Sequence, residues 1–158
     1  MADTAITISD DRVTVLSNQE RGASGFTHKF RVLSSDIALG AGATDTVTMT
    51  LGNTPANFII DKAAVNVSTA FAGTTAMTII VGTTTDTNNF IESISILTAG
   101  LKQPATGKNT VATIAGSTGT AAISLVATFT NSTGGSPSAL TAGALDIYLS
   151  IAEPASFG

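Results

Sequence analysis

Two segments of the chain alternate strictly between apolar and polar residues. Asp45–Leu51 places Val, Met and Leu on one side of an extended chain and three threonines on the other. Ala144–Ile151 does the same with four Leu and Ile residues against Asp, Tyr and Ser. A period of two is what a half-buried β-strand requires, because successive side chains point to opposite faces of a sheet. A slip of one residue would turn each apolar set to solvent, so the alternation also fixes the strand register.

Similar runs rich in β-branched residues recur along the chain, separated by clusters of Gly, Asn, Asp, Ser and Pro. No stretch shows the sustained apolar spacing of an amphipathic helix between caps. This spacing of strands and turns is typical of an all-β sandwich or barrel. The further predicted strands are His28–Leu33, Phe58–Ser68, Ala76–Val81, Phe90–Leu97, Thr110–Ile114 and Ala121–Thr130, of which Phe58–Ser68 and Ala121–Thr130 are long enough to bend or carry a bulge.

Composition excludes several classes of protein. The chain has 158 residues, no cysteine, a net charge of −4 and only 11% charged residues. Disulfides and thiolate metal sites are therefore impossible, and the basic surface expected for nucleic-acid binding is missing. No apolar run approaches the ~20 residues of a spanning helix, and the acidic start MADTAITISDDR lacks a signal-peptide pattern, so we expect a soluble chain. Low charge with abundant Thr favours a surface partly covered by other subunits.

The first 25 residues differ from the rest because they are polar and richer in charge. We interpret 1–25 as an extended N-terminal arm or edge element, with a flexible hinge at Ser17–Gly25, and 26–158 as the sandwich domain. The alternative is a disordered terminus. Apolar and basic residues in the arm are its candidate contacts with a partner surface or with another subunit. These are Ile6, Ile8, Arg12, Val13, Val15 and Arg21.

The residues needed for catalysis are scarce. His28 is the single histidine, and no serine lies in the glycine-rich turn typical of a nucleophile. We therefore predict that the protein is not an enzyme and uses no cofactor. The loop after the strand at Ala76–Val81 offers Asp86, Asn88 and Asn89 as weak oxygen ligands for Ca²⁺. The simpler interpretation is a turn in which Asp and Asn bond to their own backbone.

The block from Phe58 to Gly100 carries a resemblance. It contains a strand, then Thr-Ala-Phe-x-Gly, then a Thr/Ile/Val strand ending at Gly82, then Thr-Thr-x-Asp and Phe-Ile. Toward the C-terminus, Thr141-Ala142-Gly143 leads into the last alternating strand. This pattern resembles virion proteins of tailed bacteriophages, in particular small capsid decoration (cement) proteins, over about two-thirds of the chain.

The resemblance implies a jelly-roll-like antiparallel β-sandwich that forms a homotrimer on the outer surface of the capsid. There it would bind the major capsid protein and stabilise the head, without nucleic acid, membrane or catalytic residues. A tail fibre or receptor-binding adhesin module is the alternative. A secreted carbohydrate-binding domain and the capsid subunit of a small jelly-roll virus also stay open, although the first would carry an export signal and the second a basic arm.

Overall fold

The strands and helices were located in a computed structural model, which describes residues 3–8, 10–40, 46–55, 58–102, 118–119, 121–132 and 136–152. Two short helices, α1 (Asn18–Ser24) and α2 (Ser34–Gly40), and two 3-10 turns at Asp10–Arg12 and Pro137–Ala139 accompany the strands. The strands are β1 (Asp3–Thr7), β2 (Val13–Val15), β3 (His28–Leu33), β4 (Thr46–Asn53), β5 (Phe58–Ala72), β6 (Thr78–Thr83), β7 (Ile91–Ser95), β8 (Gly100–Lys102), β9 (Thr118–Gly119), β10 (Ser124–Thr130) and β11 (Ala142–Ala152).

The strands form two sheets, so the predicted all-β fold is confirmed. Sheet A has the order β1-β4-β10-β6-β7, and sheet B has the order β2-β3-β11-β5-β8, with β9 pairing to the end of β5. All pairs are antiparallel except β1 with β4, which run parallel. Neighbours in a sheet are mostly distant in sequence, because the chain repeatedly crosses from one sheet to the other.

One hydrophobic core is shared by the two sheets. Val47 and Met49 of β4, and Leu145, Ile147 and Leu149 of β11, have no exposed surface, as their alternation predicted. Each fully buried aliphatic side chain contributes roughly 1.5–3 kcal/mol of transfer free energy. The core therefore sets which face of each strand remains outside, and the outer faces carry the candidate functional residues.

The predicted strands are reproduced with shifted ends. Phe58–Ser68 continues to Ala72, and its register against β11 shifts at three places, so the predicted bending of this long strand is present as bulges. Ala121–Thr130 begins later, at Ser124, and also changes register against β4. The predicted strand Thr110–Ile114 lies outside the described residues.

The described part of the predicted arm, 1–25, lies along the edges of both sheets. Strand β1 pairs with β4 at one edge of sheet A, and β2 pairs with β3 at one edge of sheet B. The predicted flexible hinge is wrong, since Ser17–Gly25 forms a capped helix. The Ser17 side chain accepts a hydrogen bond from the Glu20 backbone N–H at 3.3 Å, and Glu20 accepts from the Ser17 N–H at 2.9 Å. This capping box, followed by Gly25 at φ 75°, stabilises the ends of α1.

Candidate interaction surface

The outer face of sheet B carries polar, charged and aromatic side chains in two rows that cross the strands. One row joins Lys29 of β3, Tyr148 of β11 and Ala64 of β5. The next row joins four residues and reaches the far edge of the sheet. Its members are Arg31, Asp146, Asn66 and Leu101. These positions alternate with the core residues of the same strands, so the register that buries the core also places these side chains outside.

A shallow groove crosses this face. Its larger part, of about 420 Å³, is lined by Ser24, Phe26, Ala64, Asn66, Leu101 and Tyr148. A smaller part, of about 230 Å³, shares Ser24 and Tyr148 and continues beside α1 to Leu16, Glu20, Ala23 and Lys29. We call the two parts together the Tyr148 groove.

Two aromatic rings form the wall of the Tyr148 groove. The Phe26 and Tyr148 ring centroids lie 5.6 Å apart with an angle of 47° between the planes, a favourable tilted arrangement. The ammonium group of Lys62 lies 5.6 Å from the Phe26 ring centroid, within the range of a cation–π contact. Burial, and next the nearby Asp146 carboxylate, raise the pKa of Tyr148. The phenol therefore remains protonated and can donate a hydrogen bond.

Beside the groove, Arg31 and Asp146 form an ion pair across β3 and β11. The Arg31 Nη1 donates to Asp146 Oδ2 at 2.9 Å. Asp146 is only 6% exposed, and its second oxygen, Oδ1, is buried without a hydrogen-bond partner among the described residues. A buried carboxylate is costly unless it is paired, so Arg31 is needed to keep Asp146 at this position.

Most of the predicted contact residues in the arm make contacts within the chain. Ile8 is buried in the core, and Val13 packs against the core. The two basic residues, Arg12 and Arg21, also make contacts within the chain. Arg12 lies 3.4 Å from Asp36, and the Arg21 Nε donates to the Leu16 carbonyl at 2.8 Å. These four residues therefore stabilise the arm on the sheets.

The last two predicted contact residues differ from the others. Val15 is 60% exposed and remains open to a partner. Ile6 is on β1, opposite Met49 in register, and its side chain lies outside the described residues. The residues of the Tyr148 groove were not predicted as a site, although the alternation in Ala144–Ile151 had already placed Tyr148 outside.

The loop with the predicted calcium ligands is a tight turn. The backbone carbonyl of Asp86 accepts from the N–H groups of Thr83 and Asn89 at 2.8 and 3.3 Å. Asn89 is only 2% exposed, whereas Asn88 is exposed. Within the described ranges, no group of three His, Cys, Asp or Glu side chains is close enough to hold a metal ion. The segment is thus a turn, but these two hydrogen bonds join backbone atoms and not the Asp and Asn side chains that the turn interpretation invoked.

Sheet A presents an outer face of a different kind. Thr48 and Thr128 lie opposite each other with their hydroxyl oxygens 3.2 Å apart, and Thr46, Thr130 and Thr78 form the adjacent row. The outward positions of β4, β10 and β6 carry no charge. Covering this face would bury no charge, and each threonine hydroxyl would need a hydrogen-bond partner in the contact.

His28 begins β3, between β2 and β11 of sheet B, and we predict that it makes stability depend on pH. Burial, and next the positive charge of Arg21, lower the pKa of His28, whose Nδ1 lies 2.7 Å from the Thr27 hydroxyl. The unfolded chain therefore binds a proton more readily than the folded chain. The contribution of neutral His28 to stability is complete above its pKa in the unfolded chain, about 6.5. It is lost as the pH falls through about 6.5 toward the lower pKa of His28 in the folded chain.

The measurement is the urea midpoint of the wild type and His28→Gln between about pH 5.5 and pH 7.5. We expect the wild type to lose more stability than the variant on acidification. Because the carboxylates are common to both proteins, the difference isolates His28. Parallel curves would show that His28 does not couple to folding.

Comparisons with known proteins leave the family open. No protein-family profile matches the chain, and no curated protein matches it. A solved structure with some similarity is that of Aeromonas hydrophila PliG, a periplasmic lysozyme inhibitor of g-type lysozyme. It is 14% identical, over 96% of this chain and 100% of the other, with a TM-score of 0.35. Among the described residues, none of the helices is long and apolar enough to cross a membrane.

Proposed function

We propose that this chain is a virion structural protein, an external capsid decoration protein that binds the major capsid protein as a homotrimer and stabilises the head. The observation that carries the proposal is the strand order. Without the two N-terminal edge strands, the sheets have the orders β3-β11-β5-β8 and β4-β10-β6-β7. This is the order expected of two nested Greek keys in a jelly roll, an architecture common in viral capsid proteins.

The surfaces support the same proposal. Sheet A presents its uncharged threonine face, and sheet B presents the Tyr148 groove with exposed Leu101. The proposal places the contact with the capsid on one of these two outer faces. Many identical contacts over a shell give firm attachment even when each is weak, because avidity multiplies them.

The test is to locate the protein on the virion. Gold-labelled antibodies against the purified chain, applied to intact virions of the source phage, should decorate the whole head in electron micrographs. Label confined to the tail tip would contradict the proposal and favour the tail fibre or adhesin alternative. The paired rings of Phe26 and Tyr148 are the observation that keeps this alternative open, since aromatic surfaces also bind sugars.

A separate prediction concerns the assembly. Size-exclusion chromatography with light scattering should give three times the protomer mass of 15.8 kDa at micromolar concentration. A trimer has one heterologous interface repeated around a closed ring, which also covers sheet edges. A monomeric mass over the whole concentration range would contradict the trimer while leaving attachment to the capsid to be tested by the labelling experiment.

A further inference from the structure

Residues 13–24, which comprise β2 and α1, form a strap that leads into β3 at one side of sheet B. We propose that this strap detaches from β3 on mild acidification while the sandwich stays folded, with Thr27 and His28 as the proton-sensitive pair at its base. The inference goes beyond the proposed function and does not rest on it. Three observations carry it, namely the weak attachment of the strap, the hydrogen bonds of Thr27 and the position of Arg21.

The strap is held to the sandwich by little buried surface. Strand β2 is three residues long, whereas β3 pairs with β11 along its whole length of six residues. Leu16 is buried and Val13 packs against the core, but residues 17–24 are all exposed. Segments with few buried apolar contacts and solvent-exposed hydrogen bonds open locally at a lower free energy than the core. The strap is therefore able to open without unfolding of the two sheets.

Thr27 joins the strap to the sandwich through four hydrogen-bonding contacts. Its carbonyl accepts from the Leu16 N–H of the strap at 2.8 Å, and its own N–H donates to the Leu149 carbonyl of β11 at 3.1 Å. Its hydroxyl accepts from the Ile151 N–H at 2.8 Å and lies 2.7 Å from His28 Nδ1. One residue thus connects the strap, strand β11 and the imidazole ring.

The protonation state of His28 sets the direction of its hydrogen bond with Thr27. A neutral ring with its proton on Nε2 accepts at Nδ1, so the Thr27 hydroxyl donates to it. A protonated ring has donors at both nitrogens, so Nδ1 must donate to the hydroxyl. The hydroxyl proton is then left with the carbonyls of Leu149 and Ile151, at 3.3 and 3.4 Å. Protonation therefore lengthens the bond that Thr27 donates, at the residue that holds the strap.

Protonation also places two positive charges near each other across the strap. Among the described residues, Arg21 of α1 is the charged side chain that acts on His28, and its Nε is held by the Leu16 carbonyl at 2.8 Å. The residues paired with His28 on β2 and β11 are Val15 and Leu149, which are uncharged. Burial, and next the charge of Arg21, lower the pKa of His28. Opening the strap would hydrate the ring and move Arg21 away, so acid favours the open state.

Opening the strap would change the Tyr148 groove as well. Four of the residues that line it, Leu16, Glu20, Ala23 and Ser24, belong to the strap. Their departure would remove one wall of the groove and leave the β2 side of β3 free to pair with another strand. The groove is therefore a surface that forms at neutral pH and is dismantled in mild acid.

Amide hydrogen exchange of the full chain tests the inference. The reporters of the strap are the amides of Leu16, Arg21 and Gly25, which donate the hydrogen bonds that close β2 and α1. Amides of β5 and β11 report on the sandwich. After correction for the intrinsic pH dependence of exchange, protection of the three reporters should fall severalfold between about pH 7.5 and about pH 5.5. One linked proton with an ordinary pKa of about 6.5 sets a ceiling of about tenfold. The reporters should exchange faster than β5 and β11 at both pH values.

Three variants identify the groups that respond. His28→Gln keeps a hydrogen-bonding side chain beside Thr27 but cannot take up a proton in this range, so the pH dependence should vanish. Arg21→Met and Arg21→Lys both lose the Nε bond to Leu16, and only the lysine keeps the charge. Both should lower protection at neutral pH, with the weaker pH dependence in Arg21→Met. Glu20 stays charged throughout, because its hydrogen bonds with Ser17 lower its pKa, so the cap of α1 does not respond.

Tyrosine emission gives an independent measurement of the same opening. Tyr148 is the single tyrosine and there is no tryptophan, so a pH-dependent change in emission reports on the groove beside the strap. We expect this change in the wild type and not in His28→Gln. Exchange of the strap amides in step with β5 and β11 would overturn the inference, because the strap would then open only with the whole fold. Equal pH dependence in the wild type and His28→Gln, or constant emission in the wild type, would overturn it as well.

Discussion

Gly82→Ala is expected to lower the free energy of unfolding by about 2–4 kcal/mol, at or above the upper end of the range for overpacking a tight site. Gly82 lies on β6, and the turn at 84–89 folds back over it. A Cβ added there would lie 2.6 Å from the Thr87 carbonyl carbon and 2.7 Å from the Asn89 nitrogen, and closer still to the Asp86 carbonyl oxygen. All three are backbone atoms, so relief requires the turn to move.

The turn cannot move without losing hydrogen bonds. Its backbone is attached to β6 through Thr83 N–H to the Asp86 carbonyl at 2.8 Å and Phe90 N–H to the Val81 carbonyl at 2.9 Å. The turn also sets the position of Asn89 and Phe90, which are buried. Displacing it would therefore disturb the core as well as the loop, which is why the expected loss is large.

The control is Gly22→Ala, which makes the same chemical change in the middle of α1. A Cβ at Gly22 meets no atom within 4 Å. Because alanine is the better helix former, stability should stay level or rise by up to about 1 kcal/mol. Chemical denaturation of both variants measures the change in the free energy of unfolding. A loss in Gly82→Ala no larger than the change in Gly22→Ala would show that the turn moves to accommodate the Cβ at no cost.

Strands with one buried face could be predicted from the sequence because alternation carries the information locally. The inner faces of Asp45–Leu51 and Ala144–Ile151 follow directly from it. Strand β1 could not be predicted in the same way. Its partner β4 runs parallel and lies some forty residues away, and a parallel pairing leaves no turn signal between the two strands. The two edge strands were therefore interpreted as an arm.

The helix α1 shows a signal that was present and missed. Ser17-x-x-Glu20 is the capping-box pattern and Gly25 is a C-terminal stop, but the polar composition favoured a hinge. Helix α2 is only seven residues long, too short for a periodic apolar pattern to be recognised. The Tyr148 groove depends on α1, because the helix and the following Phe26 supply one wall. A site built by tertiary packing of a short helix on a sheet has no contiguous sequence motif.

Arg31→Met is expected to lower the free energy of unfolding by about 2–3 kcal/mol. The substitution keeps an apolar stem of similar length but leaves Asp146 as an uncompensated buried charge, and removing one partner of a buried pair typically costs 3–5 kcal/mol. The side chain of Arg31 is 39% exposed, so solvent screens part of the interaction, and the lower figure applies. Lys102→Met is the control, since Lys102 bonds only to the Thr98 hydroxyl within the described residues and should change stability by less than about 0.5 kcal/mol.

The second variant in this experiment shows whether the charge of Asp146 is the cause. In the Arg31→Met background, Asp146→Asn removes the unpaired charge at nearly constant volume. It should recover at least half of the stability lost in Arg31→Met, which corresponds to a coupling energy of about 1–2 kcal/mol in the double-mutant cycle. Additive losses would instead mean that Arg31 acts through packing of its stem. The distinction matters for the groove because Asp146 lies between Arg31 and Asn66 in the same cross-strand row. If its carboxylate is held in place by Arg31, then the ion pair fixes the charged part of that row beside the groove.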